Sequence, residues 1–126
     1  SAPVDVPILI LKKDQVLLTI RSRDFSFVLE EKFATIFSLL ERFRIKANLI
    51  HNSAVNLSLC VDNSWHIDEA IQALRNEEFD VMKVENMELL TVRGYTDELW
   101  RRYARGPQVF VRQATQSTVR VVRKRE

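Results

Sequence analysis

The hexapeptide LLTIRS at residues 17–22 returns as LLTVRG at 89–94, and each copy is followed by a similar order of patterns. An internal repeat of this kind means two related supersecondary units, each too small to bury its apolar face alone. Residues 16–21 (VLLTIR) read as a strand, bounded by Lys13-Asp14 and Ser22. A helix is then predicted from Leu29, Phe33, Ile36, Phe37, Leu40 and Phe43, which share one face. Glu30 and Glu31 near its start and Arg42, Arg44 and Lys46 near its end suit the helix dipole. Strands are predicted at 45–51 and 55–61, joined by a turn at Asn52-Ser53. In the second of these Val55, Leu57, Leu59 and Val61 alternate with Asn56, Ser58 and Cys60, the pattern of a half-buried antiparallel strand.

A second helix follows, with Asn63 or Ser64 as candidate cap and Ile67, Ala70, Ile71 and Leu74 as its apolar stripe. Strands at Val81–Val84 and 88–93, a short helix over 96–104, and strands near 108–113 and 117–123 complete the chain. The second copy is the shorter one. Thr19 to His51 is 32 residues and Thr91 to Arg112 is 21, so about eleven residues are missing from its helical connection. The order β-α-β-β, continued by α-β in the first copy, predicts an α+β chain of two ferredoxin-like βαββαβ modules, antiparallel sheets with helices on one face. The modules are expected at 15–86 and 87–126, with elements shared between them. Two such units placed side by side can cover an exposed sheet edge, so dimerisation is expected.

Composition narrows the chemistry. With 126 residues, 46% of them apolar, and only two glycines and three prolines, the chain can build a core and has no linker-like stretch. Nineteen basic against seventeen acidic residues leave a net charge of +2, too little to imply nucleic acid or membrane. One cysteine excludes an internal disulfide and fits a reducing, cytoplasmic setting. No apolar run approaches the roughly 20 residues of a membrane span, and the first residues do not form a secretion signal. Glycines at 94 and 106 alone cannot build a phosphate-cradling loop. His51 and His66 lack metal-site spacing, and Cys60 reads as a buried structural thiol. Trp65 and Trp100 read first as packing residues and second as interface residues. The basic run 120–125 reads first as a solvated strand end and second as a nucleic-acid contact, but no RNA-stacking aromatic motif accompanies it.

Five segments carry a family resemblance. QVLLTIRS, the helix KFATIFSLLERFRIKANLI and the turn and strand HNSAVNLSLCVD resemble the regulatory region of aspartate kinases. FDVMKVENMELLTVRGY resembles the link between its two ACT modules, and VFVRQATQSTVRVV its last strand pair. The resemblance implies a piece with no catalytic residues and no cofactor. The kinase domain, with its ATP and Mg, would precede it. It also implies a homodimer that binds an end-product amino acid, lysine or threonine, at the interface and so inhibits the kinase. Carried over by position, the effector carboxylate would meet backbone N–H groups near Lys32 and Phe33 at a helix start. Lys46, Ala47 and Asn48, with His51, Asn52 and Ser53, would line the amine side. The chain departs from the lysine-sensing pattern at Asn48 (often Asp), Ala54 (often Glu) and Glu31 (often Gly). Each charged acceptor lost removes a hydrogen bond of roughly 1.5–3 kcal/mol to an ammonium group. Threonine, or dimerisation without a ligand, therefore stands beside lysine.

Overall fold

The computed structural model describes residues 6–24 and 30–125. The chain is α+β, with six antiparallel-paired strands and three helices among the described residues: β1 (Ile8–Ser22), α1 (Glu30–Arg42), β2 (Ala47–Asn52), β3 (Leu57–Asp62), α2 (Ile67–Asn76), β4 (Phe79–Arg93), α3 (Asp97–Tyr103), β5 (Val109–Ala114) and β6 (Thr118–Lys124). It divides into two compact units. One is Gln15–Glu85; the other takes in Asn86–Glu126 and the chain up to Asp14. The second unit is therefore not one stretch of sequence. Strands β1 and β4 each give one half to each unit.

In the Gln15–Glu85 unit the strand order is β2-β3-β1-β4. Val16, Leu18 and Ile20 of β1 and Leu57, Leu59 and Val61 of β3 face Ile36, Leu39 and Leu40 of α1 and Ala70, Ile71 and Leu74 of α2. Alternation in the strands and the helical period thus converge on one core. Phe33 and Phe37 pack against it from α1, whereas Leu29 lies outside the described residues. Helix α1 ends without glycine. Ile45 N–H donates to Leu40 O at 2.8 Å and Arg44 N–H to Glu41 O at 3.0 Å, with Arg44 at φ 54°, which is a Schellman closure. A left-handed non-glycine residue costs about 1–2 kcal/mol, part of which glycine's greater unfolded-state freedom offsets. Arg44→Gly is therefore expected to stabilise the chain by about 0.5–1 kcal/mol in urea unfolding.

In the other unit the order is β5-β6-β4-β1, the same arrangement with β4 in the role of β1. The registers also repeat. Thr19 faces Ser58 as Thr91 faces Arg120, and both outer strand pairs carry a bulge one residue wide, at Ala47/Leu49 and at Val109/Val111. The closing turns match: Ser53 N–H donates to Asn56 O at 2.9 Å, and Thr115 N–H to Thr118 O at 2.8 Å. His51 faces Ser58 and Gln113 faces Arg120, so the counterpart of His51 is Gln113 rather than Arg112. Helix α3 has seven residues against thirteen in α1, which accounts for six of the ten residues by which Thr91–Gln113 falls short of Thr19–His51. Its core is correspondingly small: Leu90, Val92, Ala104, Val119 and Val121, with Leu99, Trp100 and Tyr103 against them.

Several expectations are corrected. The predicted strands at 81–84 and 88–93 are one strand, β4, and β1 begins at Ile8 rather than at 16. The reason is the same in both. Asp14 (φ 54°) and Asn86 (φ 61°) take the left-handed conformation inside a strand, so polar residues that read as strand ends do not end them. Val55 precedes β3 and is exposed, while Cys60 is fully buried on the face away from the helices, so β3 is covered on both sides. Helix α2 has His66 at its N-cap, with no side-chain cap; Ser64 Oγ instead accepts from His66 N–H at 3.1 Å. Trp65 is 88% exposed, not packed. Arg123 is no solvated strand end: its side chain is 21% exposed and donates to Glu88 Oε2 at 3.2 Å. No helix among the described residues is long and apolar enough to cross a membrane.

Candidate functional site

The residues implied in effector binding fall at two ends of the Gln15–Glu85 unit. At the Ser22 end of β1, Lys32 in the first turn of α1 donates from Nζ to Ser22 Oγ at 2.7 Å and lies 4.0 Å from Asp24. Arg23 reaches across to Glu78 Oε2 at 2.7 Å and to Arg75 O at 2.9 Å. A cavity of about 360 Å³ opens here, lined among others by Ser22, Arg23, Asp24, Lys32, Thr35 and Glu77. It presents cations and carboxylates together. A zwitterion needs that arrangement: a guanidinium or ammonium for its carboxylate, and a carboxylate for its amine. Phe33, beside Lys32, turns its ring to the core.

At the Gln15 end a polar network was not foreseen. Asn48 Nδ2 donates to Asp62 Oδ1 at 2.7 Å and to Gln15 Oε1 at 2.9 Å. Gln15 Nε2 donates to the same Asp62 oxygen at 3.0 Å, and Cys60 Sγ donates to Gln15 Oε1 at 3.3 Å. Gln15 is 1% exposed. A buried amide of that kind is held only if its partners are in place. The register puts Gln15 opposite Asp62, and Ala47 opposite Val61, so Lys46, Ala47 and Asn48 belong to this end. His51, Asn52 and Ser53 lie towards the other, His51 opposite Ser58 and Asn52 opposite Leu57.

Gln15 and Ser22 are separated by seven residues of one strand, roughly 23 Å. Lys32 and Asn48 therefore do not meet in one cavity within one chain. Of the eight implied residues Lys32 lines the cavity at the Ser22 end. Ser53 closes the β2–β3 turn, its Oγ donating to Asn56 O at 3.2 Å. Strand β2 is the outer strand of this unit, and Ile50 on it is half exposed. The repeat held a signal for the network. Met87 occupies the place of Gln15 in the second copy and is equally buried, so a buried amide in one copy corresponds to a buried thioether in the other. No group of three or more metal-ligating side chains occurs among the described residues.

The arrangement matches known structures. A domain from Porphyromonas gingivalis W83, named as a C-terminal regulatory domain of aspartate kinase, superposes with a TM-score of 0.76 over 94% of this chain and 86% of that one, at 20% identity. The chain has the fold of an aspartate kinase regulatory domain. The ligand-free regulatory subunit of aspartate kinase from Thermus thermophilus matches over 92% of this chain and 86% of its own length, at TM-score 0.66 and 13% identity. Aspartokinase III of E. coli, in complex with lysine and aspartate, matches over 90% of this chain at TM-score 0.63 and 22% identity. The chain spans 28% of that enzyme's length. No protein-family model and no curated protein sequence matches the chain.

Proposed function

We propose that the chain is a non-catalytic regulatory piece of an aspartate kinase, a pair of ACT modules that binds lysine or threonine between two copies and feeds inhibition back to the kinase. The observation that carries this reading is the likeness over more than 90% of the chain to regulatory domains and subunits of that enzyme. Two features of the unit fit it. The cavity at Lys32 offers charges of both signs to a zwitterion, and of the residues in and beside β2 assigned to the same ligand Lys46, Ala47 and Asn48 lie at the opposite end of the sheet. A second copy, docked along the outer strand β2, would bring such residues to the first copy's cavity.

A second reading has its own support. Asn48 already spends its amide on Gln15 and Asp62. A ligand drawing on Asn48 must break those bonds, so a dimerisation module without effector stands as the alternative. Calorimetric titration with lysine, threonine and methionine separates the two, with light scattering for mass. Sensing predicts saturable heat from one amino acid and a dimer. Dimerisation alone predicts a dimer and no heat, and a monomer counts against both. Lys32→Ala is expected to weaken effector binding about tenfold, the loss of one charge-assisted hydrogen bond, while the scattering mass stays unchanged. Unaltered affinity would take Lys32 out of the site.

A further inference from the structure

The shortened helix of the second copy leaves open a space whose counterpart within the first copy is filled by apolar side chains. In the Gln15–Glu85 unit the cross-strand pair Val16 and Val61 packs in one cluster with Leu39 and Leu40 of α1. The matching cross-strand pair in the other unit is Glu88 and Arg123. Seven-residue α3 ends at Tyr103, and above that pair lies a cavity of about 350 Å³ lined by Glu88, Arg102, Tyr103, Arg123, Lys124 and Arg125, with Gln108. Four cations meet one carboxylate there. That carboxylate is committed: Glu88, 8% exposed, holds Arg123 Nε at 3.2 Å.

The cations are also oriented. The guanidinium carbons of Arg102 and Arg123 lie 5.4 and 5.6 Å from the centre of the Tyr103 ring, within cation–π range. Arg125 is tied by its backbone, its N–H donating to Asn86 O at 3.0 Å. Gathering like charges around a concave surface raises the local potential and favours a counter-ion of matching geometry. Guanidinium forks suit oxyanions, which accept two parallel hydrogen bonds from each. We infer that this cavity binds a small polyvalent oxyanion, a phosphate-bearing or dicarboxylate metabolite, separate from the amino-acid site.

Calorimetry on the full chain with pyrophosphate, inorganic phosphate and malonate at 0.05 and 0.15 M salt tests it. One saturable site is expected, weakened about tenfold by Arg102→Ala and again by Arg125→Ala. Both are exposed positions, where truncation spares the core. Arg105→Ala, an exposed arginine outside the cavity, leaves the affinity unchanged. Tighter binding of pyrophosphate than malonate assigns a phosphate ligand, and the reverse a dicarboxylate; both uphold the site. Absence of saturable binding overturns it, as does equal weakening by Arg105→Ala, which would reduce the effect to diffuse charge.

Discussion

Glu88→Val is expected to destabilise the chain by about 2 kcal/mol, and adding Arg123→Val is expected to restore most of that loss. The single change leaves Arg123, 21% exposed, without its carboxylate, and a charge stripped of its partner in a mostly buried place is costly. Partial solvent access keeps the loss below the 3–5 kcal/mol typical of a fully buried pair. The double change recreates the cross-strand pair that the first copy uses, Val16 opposite Val61. An apolar pair in such a place is neutral or better once the desolvation of two charges is avoided. Urea unfolding of the four proteins in this cycle gives the coupling, expected at about 2 kcal/mol. Additive losses would show that Arg123 finds solvent as readily as it finds Glu88.

That pair marks where sequence patterns stop being informative. Arg123 reads as part of a basic tail, because nothing local reveals that a glutamate thirty-five residues earlier lies opposite it. The same holds for Gln15. Its amide is satisfied by Asn48, Cys60 and Asp62, which come together only through strand register. By contrast, the α1 stripe at Ile36 and Leu40 and the α2 stripe at Ile67, Ala70, Ile71 and Leu74 were legible, since helical period is a local property. Strand ends were misread at Asp14 and in the gap between 84 and 88, where Asn86 stands, because both residue types tolerate left-handed backbone, in a turn or inside a strand. Of the implied site, Lys32 was placed beside a cavity. The residues in and beside β2 were not, because strand register, which spacing does not reveal, carries Lys46, Ala47 and Asn48 to the Gln15 end of the sheet.

Leu18→Ala is expected to cost about 3 kcal/mol, within the 2–5 kcal/mol seen when a buried leucine is truncated. Leu18 is fully buried, faces Leu59 across the sheet, and sits between Val16 and Ile20 on the strand that both helices cover. Two helices packed on one side leave little room for the sheet to collapse into the gap, so most of the cavity persists. Leu90 is the matching position of the second copy. Its cluster has five buried members and one short helix that can settle inwards, so Leu90→Ala is expected to cost about 2 kcal/mol. Denaturant midpoints at constant slope measure both. Equal costs would mean that the trimmed copy is as rigid as the full one.

The interruption of the second unit by the first has a temporal side. Residues of β1 up to Asp14 leave the ribosome before the rest of their unit; their neighbour in the fold, the second half of β4, follows some seventy residues later. Chains emerge at roughly 5–20 residues per second, so this strand waits several seconds unpaired. It carries Ile8, Leu9, Ile10 and Leu11, all still half exposed in the finished fold, and such a run is a template for association with other chains. Lys12 and Lys13 follow it directly, charges of the kind that guard apolar strands while they wait.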